Sequence, residues 1–327
     1  MDLAGHAGGG RWRSVGRTQP CRAGHGHPVP RRSLRACPLA RPARPLGQRD
    51  SVWRSRVIVS QDRQGCVQLC GLCRSLGDPN LGLVILSEGN ASGYQDAESF
   101  WVKASGLTLA DAVEDSLVRV RFEPLLQAVD SVEAGNDIGD SEVEGILSRA
   151  VIEPLGARPS VEAFFHAALL RDTSYKFVAH THPEPILSLV CTTNAQSLCA
   201  RRLFPDEVVL CGPATCWVPY VDPGLLLALQ IRNSARDFRA QTGNWAKTYW
   251  LQNHGLITLG NTVEEALNAT KMAVKAATIW LGALSTGHEI TTLSKEDVER
   301  IATRTDEQYR QRLLGIGVEE AEGGGAR

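Results

Sequence analysis

The sequence predicts an α/β protein with a mixed sheet. Segments with the composition of β-strands are interleaved along the chain with segments that have the 3.6-residue apolar periodicity of helices. The chain has 327 residues, of which 43% are hydrophobic. That is enough apolar material to bury a substantial core in one large domain or two small ones, so we expect a globular protein.

The first 56 residues differ in composition from the rest. They contain twelve arginines, no lysine and two acids, Asp2 and Asp50, although the whole chain has a net charge of −1. Their glycine and proline content and lack of periodicity predict a disordered extension over 1–56. A basic leader of this kind could target an organelle or contact nucleic acid. Its low serine content and missing amphipathic stripe favour an extension without function.

The rest of the chain suggests an intracellular protein. No segment approaches the ~18 uninterrupted apolar residues of a membrane helix, and no signal-peptide core is visible. Nine cysteines without the spacing of a small disulfide scaffold suit a reducing compartment. We therefore expect a cytoplasmic protein that binds neither membrane nor nucleic acid.

The first predicted element is a helix near residues 62–76. Cys66, Cys70 and Cys73 have the C-x3-C-x2-C spacing of iron–sulfur radical enzymes. The same spacing is one face of a helix, and a glycine–aspartate–proline breaker follows at 77–79. A cluster would need its cysteines in a loop, so we favour a buried helix.

Two strands and a turn are expected next. LVILS (83–87) and SFWVKAS (99–105) have strand composition, and the turn residues of 88–98 between them predict a hairpin. Residues 119–148 carry many acids and scattered apolar positions, which indicates a partly helical surface insertion.

The second half alternates helix and strand. RPSVEAFFHAALLR begins a helix with Ser160 as N-cap, and the strand YKFVAHTH follows. TYWLQNHGLITLG (248–260) reads as strand, turn and strand. Thr262 and Glu265 then form a capping-box pattern for a long helix that ends near Leu284.

The strand at YKFVAHTH ends in two histidines. Because side chains alternate in a strand, His180 and His182 project from one face about 6.6 Å apart along the backbone. They could share a transition metal such as zinc, or they could be hydrogen-bonded residues near the surface. His254 lies at the QNHGL turn, where a third imidazole would complete a three-histidine set with an open coordination position. The H-x-H templates of cupins and amidohydrolases fit poorly.

Five ordered motifs carry a resemblance to a known family: GNAS (89–92), ASG (104–106), PSVE (159–162), HTHP (180–183) and NHG (253–255). In their order and context the chain resembles the class II aldolase/adducin family over about residues 62–314. The resemblance implies a mixed, largely antiparallel central sheet flanked by helices in three layers. It also implies a domain over 57–315, followed by a disordered tail over 316–327.

The resemblance assigns roles to individual residues. It implies that His180, His182 and His254 bind Zn²⁺ or another divalent cation such as Mn²⁺ or Co²⁺, and that Glu162 in the first turn of its helix is the acid/base. Three neutral imidazoles leave the ion its full charge to stabilise an enediolate, and a glutamate is long enough to shuttle a proton. His166 is expected to be a packing neighbour.

The same resemblance places a substrate site around glycine turns, whose exposed backbone N–H groups favour anions. The residues it implies are Gly89, Asn90, Ser92, Ser105, Gly106 and Ser160. Sugar-phosphate relatives carry two serines before the catalytic acid, whereas here the second position is Val161. The substrate is therefore expected to be unphosphorylated or to bear a carboxylate.

The resemblance also implies roles for two tyrosines and an oligomeric state. Tyr220 matches a tyrosine that protonates the departing aldehyde oxygen in sugar-phosphate aldolases of the family, and Tyr309 could match one supplied by a neighbouring subunit. Each could instead be a packing residue. The family implies a homotetramer with interfacial active sites.

We accordingly expect a divalent-metal-dependent, aldolase-type lyase that cleaves or rearranges a small hydroxy-carbonyl or sugar-derived substrate through a metal-stabilised enediolate. Dehydration or 3-oxo-acid decarboxylation on the same scaffold is the alternative, as is a non-catalytic interaction module like the adducin heads. Those heads lack the metal histidines, which favours an enzyme. No G-x-G-x-x-G follows a strand, so the sequence predicts no dinucleotide site.

Overall fold

A computed structural model describes residues 64–304. Within them the helices are α1 Gln64–Leu76, α2 Phe122–Glu133, α3 Asp140–Ala150, α4 Ala163–Asp172, α5 Glu184–Val190, α6 Ala195–Cys199, α7 Pro205–Cys211, α8 Leu225–Thr242, α9 Val263–Ser285 and α10 Lys295–Ala302. The strands are β1 Asn90–Tyr94, β2 Ser99–Lys103, β3 Leu117–Arg121, β4 Val151–Glu153, β5 Phe177–Thr181, β6 Cys216–Val218, β7 Thr248–Leu251 and β8 Gly255–Gly260.

All eight strands form one sheet in the order β4-β3-β2-β1-β5-β8-β7-β6. Every neighbouring pair is antiparallel except β6 and β7, which are parallel. The predicted mixed, largely antiparallel sheet is therefore confirmed. Strand β5 contains His180 and ends one residue before His182, and it lies in the middle of the sheet between β1 and β8.

Helices cover both faces of the sheet, because successive strand residues point to opposite sides. In β2, Phe100 and Val102 join a cluster with helices α2, α3, α4 and α8, whereas Trp101 joins a cluster with α1 on the other face. In β7, Tyr249 and Trp250 divide in the same way, Trp250 packing with α5 and α9. The expected three layers are present.

Two predicted helices are confirmed in detail. Cys66, Cys70 and Cys73 are buried on one face of α1, and they pack against the sheet instead of converging in a loop. Helix α9 begins after Thr262, whose hydroxyl accepts a hydrogen bond from the Glu265 backbone N–H at 3.1 Å. Between residues 64 and 304, no helix combines the length and the apolar character needed to cross a bilayer.

The predicted strand at 83–87 is wrong. The strand that pairs with β2 is β1, Asn90–Tyr94, seven residues further along, so part of the predicted turn is itself a strand. Leu86 has a positive φ of 52°, and both Ile85 and Leu86 are exposed, at 70% and 83%. We name 83–89 the histidine-flanking loop because the backbone N–H of His182 donates to Leu83 O within it. β-branched composition favoured a strand, but the chain bends there.

The predicted surface insertion at 119–148 is also wrong. This segment contains the end of β3, helix α2 and most of α3. Phe122, Leu125, Val129 and Leu147 from it are buried in the core cluster beneath the sheet. The acids occupy the outer faces of two amphipathic helices, which is the usual arrangement for a helix that packs on a sheet.

Three predictions concern residues outside the described range. The disordered extension over 1–56, the tail over 316–327 and the role of Tyr309 all lie beyond residues 64–304. They stay predictions.

Candidate metal centre

Three histidines from two distant chain segments meet at one end of the sheet. His180 Nε2 lies 2.9 Å from His182 Nε2 and 3.2 Å from His254 Nε2. The three rings are inclined to one another by 68° to 82°, so they surround a common centre instead of stacking. His180 is fully buried, whereas the side chains of His182 and His254 are 19% and 11% exposed.

Two glycines allow the backbone to approach this closely. A Cβ at Gly255 would lie 2.7 Å from both His182 Cδ2 and Thr181 O, so a side chain would displace His182. A Cβ at Gly89, which has a φ of 70°, would lie 2.8 Å from His180 O. The glycines of the NHG and GNAS motifs thus bring β8 and the histidine-flanking loop against the end of β5.

Hydrogen bonds fix the tautomers of two of the rings. His180 Nδ1 lies 3.0 Å from Leu256 O, and because a carbonyl accepts only, Nδ1 carries the proton. His182 Nδ1 lies 3.2 Å from Glu88 Oε2, a carboxylate oxygen that also accepts. Burial lowers the pKa of His180 to about 3 and lowers that of His182, so both rings are neutral at pH 7. Both Nε2 atoms therefore present lone pairs to the common centre.

This donor set fits a divalent cation. Two lone pairs that face each other at 2.9 Å repel unless a positive charge lies near both. Tetrahedral zinc with bonds near 2.05 Å separates its nitrogen ligands by about 3.3 Å, close to the observed separations. The ligand atoms of His180, His182 and His254 form one potential metal-holding group in which all lie within 4.8 Å of one another.

Glu162 faces the same centre. Glu162 is the N-cap residue of α4, so it lies just before the first turn in which it was predicted. Ser160 was the predicted N-cap, but it does not cap the helix; its Oγ accepts the Glu162 backbone N–H at 3.3 Å. Glu162 Oε1 lies 3.3 Å from His254 Nε2 and 3.6 Å from His180 Nε2. Burial raises the pKa of this carboxyl, but the two histidines and the amide of Asn90 outweigh burial and hold the pKa below its usual range. Glu162 is therefore a carboxylate at neutral pH.

A chain of hydrogen bonds supports Glu162 from behind. Asn90 Nδ2 donates to Glu162 Oε2 at 2.6 Å, which turns Asn90 Oδ1 toward His166 Nε2. His166 Nε2 must then donate to that oxygen, and Ser92 Oγ donates to His166 Nδ1 at 2.6 Å. Burial lowers the pKa of His166 to about 3, so the ring is neutral. His166 packs against Phe165 as expected, and it also connects Ser92 to Asn90 through hydrogen bonds, a role the sequence did not predict.

The other predicted substrate residues lie in or just before β1, before α4 and after β2. Asn90 and Ser92 are buried, Ser160 is half-buried, and Gly89 is buried against His180. Ser105 and Gly106 are exposed, with Gly106 at a φ of 78° and the Ser105 N–H donating to Arg158 O.

Sequence reasoning missed Lys103. Its side chain is buried, and its ammonium donates to Leu107 O at 2.6 Å and to Ser87 O at 3.4 Å. These carbonyls belong to the two loops that carry Gly89 and Ser105. A lysine directly after the apolar run Phe100–Val102 of a predicted strand was the available signal, because lysine is rarely buried without a specific partner.

Within residues 64–304, the hydrogen bonds of Tyr220 go to residues other than the three histidines. Tyr220 is 51% exposed, and its hydroxyl donates to Asp222 Oδ1 at 3.0 Å. Its backbone N–H donates to Gln252 Oε1. Tyr309 lies outside residues 64–304.

Known proteins resemble this chain in sequence or in fold. YuxG, an uncharacterized oxidoreductase of Bacillus subtilis (strain 168), is 28% identical over 246 residues, which are 75% of this chain and 31% of YuxG. The chain thus spans about a third of the length of that curated relative. The N-terminal class II aldolase domain of a conserved protein from Thermoplasma acidophilum has 24% identity and a TM-score of 0.53 over 72% of this chain and all of that one.

An L-fuculose 1-phosphate aldolase has the same fold at 16% identity, with a TM-score of 0.55 over 73% of this chain and 94% of the aldolase. The family model described as Class II Aldolase and Adducin N-terminal domain matches residues 67–281. That range contains all three histidines, Glu162 and the full sheet. With fold, motifs and family model in agreement, this chain belongs to the class II aldolase and adducin N-terminal domain family.

Proposed function

We propose that this chain is a divalent-metal-dependent, aldolase-type lyase that cleaves or rearranges a small hydroxy-carbonyl or sugar-derived substrate. One observation carries the proposal: three imidazole Nε2 atoms converge beside an ionised carboxylate. Three imidazole nitrogens with a carboxylate oxygen 3.3 Å from one of them are the parts that carbonyl activation and proton transfer require. The fold shared with L-fuculose 1-phosphate aldolase supports the same chemistry.

His180, His182 and His254 would hold the ion, for which we propose Zn²⁺, or Mn²⁺ or Co²⁺. When bound, the ion supplies positive charge that polarises a substrate carbonyl and stabilises the negative charge developing on its oxygen. The neutral state of His180 and His182 suits this role, because protonated rings would repel a cation.

Glu162 would move the proton. Its Oε1 faces the histidines, while its Oε2 is held by the Asn90 amide at 2.6 Å. The oxygen on the histidine side is therefore the one that accepts a proton from a substrate hydroxyl or from a carbon next to a carbonyl, and later returns it. Ser92 and His166 position Asn90, so we assign Ser92 this supporting role instead of direct substrate contact.

The backbone of the two glycine turns would receive the far end of the substrate. Ser105 and Gly106 lie on one loop, and Gly89 is the last residue of the histidine-flanking loop on the other. With Val161 at the second serine position, we propose a free or carboxylate-bearing substrate over a sugar phosphate. The name of YuxG indicates oxidoreductase activity for a much longer protein, and we propose that the part shared with this chain is its aldolase-like portion.

Metal analysis followed by a substrate screen tests the proposal. The native chain should purify with about one equivalent of divalent metal per protomer and should turn over a member of a panel of ketose phosphates, free ketoses and 3-oxo acids. A chelator should abolish turnover, and Glu162→Gln should lower it while retaining the metal. Unaltered turnover in Glu162→Gln would remove that residue from the mechanism. A chain that binds no metal and does not respond to a chelator would be an interaction module.

We also propose a homotetramer with active sites near subunit interfaces. Val161, Tyr220 and Leu226 are 41%, 51% and 56% exposed, and Val161 directly precedes Glu162. Val161 is an exposed apolar residue next to a site residue, and such exposed apolar surface is typical of a region that another subunit covers. Light scattering after size exclusion should give four times the protomer mass, and a monomer would contradict the assembly.

A further inference from the structure

The histidine-flanking loop, residues 83–89, contains a carboxylate whose two oxygens are both engaged. Glu88 Oε1 accepts the backbone N–H of Ile85 at 2.6 Å, and Glu88 Oε2 lies 3.2 Å from His182 Nδ1. The bond to Ile85 closes the bend in which Leu86 has its positive φ. Because one oxygen is held by the backbone, the carboxylate has a fixed orientation toward His182.

His182 needs an orienting partner more than His180 does. The His180 ring is fully buried, its Nδ1 is held by the Leu256 carbonyl, and Phe165 packs edge-on against it at 5.5 Å. The His182 side chain is 19% exposed, and its residue lies just beyond the end of β5, so the sheet does not hold it on both sides. Glu88 is the group that fixes which nitrogen of His182 is protonated.

We propose that Glu88 is a positioning residue for the metal centre: its carboxylate holds His182 in the Nδ1-protonated tautomer with Nε2 directed at the ion, and thereby sets the affinity of the site. The inference rests on the proposed metal centre and extends it to a residue that does not touch the ion. A carboxylate acceptor also makes the ring a stronger donor than a carbonyl would, because the hydrogen bond is charge-assisted.

A consequence for the loop follows from the same contact. The bond from Ile85 N–H to Glu88 and the bond from Glu88 to His182 join the exposed Ile85–Leu86 tip to the ligand. When the ion fixes the His182 ring, it also fixes Glu88 and the bend. Metal binding should therefore slow amide hydrogen exchange in 83–89, and removing the carboxylate should uncouple the loop from the metal.

The test measures metal affinity and needs no substrate. Zn²⁺ affinity is determined for the full-length native chain, Glu88→Ala and Glu88→Gln by competition with a chromogenic chelator, and Co²⁺ absorption reports the coordination. Glu88→Ala should weaken Zn²⁺ binding by about 10- to 100-fold. Glu88→Gln keeps one neutral oxygen acceptor and should fall between Glu88→Ala and the native chain.

Two further variants separate the possible outcomes. Glu184→Gln is the matched control: this exposed carboxylate, at the start of α5, lies two residues after His182 in the chain, and its replacement should leave affinity unchanged. His182→Ala removes a proposed ligand and should weaken binding more than either Glu88 variant. A native chain that binds Zn²⁺ no better than His182→Ala would overturn the metal centre itself.

The proposal about Glu88 can be refuted even if the metal centre is real. If the native chain binds Zn²⁺ and His182→Ala does not, but both Glu88 variants bind within about twofold of the native chain, Glu88 does not position the ligand. Should Glu88→Ala not fold, Glu88→Gln decides: weaker binding with an altered Co²⁺ spectrum supports the proposal, and native binding refutes it. Hydrogen exchange in 83–89 that responds to Zn²⁺ equally in the native chain and Glu88→Gln would also refute it.

Discussion

Replacing His166 by leucine should reveal how much the hydrogen-bond chain behind Glu162 contributes to stability. His166 and Ser92 are both fully buried. Leucine has nearly the shape of the ring but leaves the Asn90 Oδ1 acceptor and the Ser92 hydroxyl without their partner. A buried polar group that loses its partner costs about 1–3 kcal/mol, so two such groups should lower the free energy of unfolding by about 2–6 kcal/mol.

A double-mutant cycle with Ser92→Ala makes this prediction specific. Ser92→Ala alone leaves His166 Nδ1 unpaired and should cost about 1–3 kcal/mol. In the double variant neither the hydroxyl nor the ring remains, so Asn90 Oδ1 is the one group of the chain left unpaired. The double variant should therefore be less destabilised than the sum of the single variants by at least about 1 kcal/mol.

Urea denaturation of the metal-free protein, followed by tryptophan fluorescence, measures these values. Equal slopes of unfolding free energy against urea are needed for the comparison, because a changed slope signals a changed denatured state. Strictly additive costs, or a His166→Leu variant as stable as the native chain, would refute the hydrogen-bond chain and leave His166 a packing residue.

Three further predictions concern other parts of the site and sheet. Glu162→Gln should retain Zn²⁺ but lower turnover on whatever substrate the screen identifies by about 10²–10⁴-fold, measured by steady-state kinetics; an equal loss of metal would instead give Glu162 a ligand role. Lys103→Met removes the ammonium that bonds Ser87 O and Leu107 O, so limited proteolysis should cut near these loops faster than in the native chain. Burial opposes ionisation of Asp96, but hydrogen bonds from the Glu98 N–H, Ser99 and Arg119 outweigh it and lower the pKa of Asp96 below its ordinary 3.8. A carboxyl with a lowered pKa stabilises the fold above its unfolded-state pKa and stops doing so as the pH falls through its folded-state pKa. Asp96→Asn should therefore lower the melting temperature at pH 7, with the difference shrinking below pH 3.8, and a difference independent of pH would contradict this.

Much of the fold was predictable wherever the local pattern agreed with the tertiary environment. The spacing of Cys66, Cys70 and Cys73 predicted a buried helical face, and Thr262 with Glu265 predicted where α9 begins. These features are encoded within one or two helical turns, so neighbouring residues suffice to specify them.

Predictions failed where the tertiary context overrides composition. Residues 83–87 have strand composition, yet the neighbour of β5 in the sheet is β1, whose Asn90 pairs with His180. The acids of 119–148 suggested a surface insertion because one-dimensional composition does not show that Phe122 and Leu147 share a buried face. Ser160 matched an N-cap pattern, but α4 begins two residues later than that cap requires.

The sequence by itself determined which residue types the site would contain. Alternation in a strand places His180 and His182 on one face, and the NHG and PSVE motifs supply His254 and Glu162. That information is local, because it depends on the pleat of one strand and on short turns.

Only the tertiary structure decided how those residues act on one another. The contact between His182 and Glu88 joins positions 94 residues apart, and the contact between Asn90 and His166 joins positions 76 residues apart. Tautomers and protonation states depend on burial and on such contacts, because the free energy of a charge is set by everything around it. The sequence therefore supplied the groups, and the packing of β1, β5, β8 and α4 set their protonation and direction.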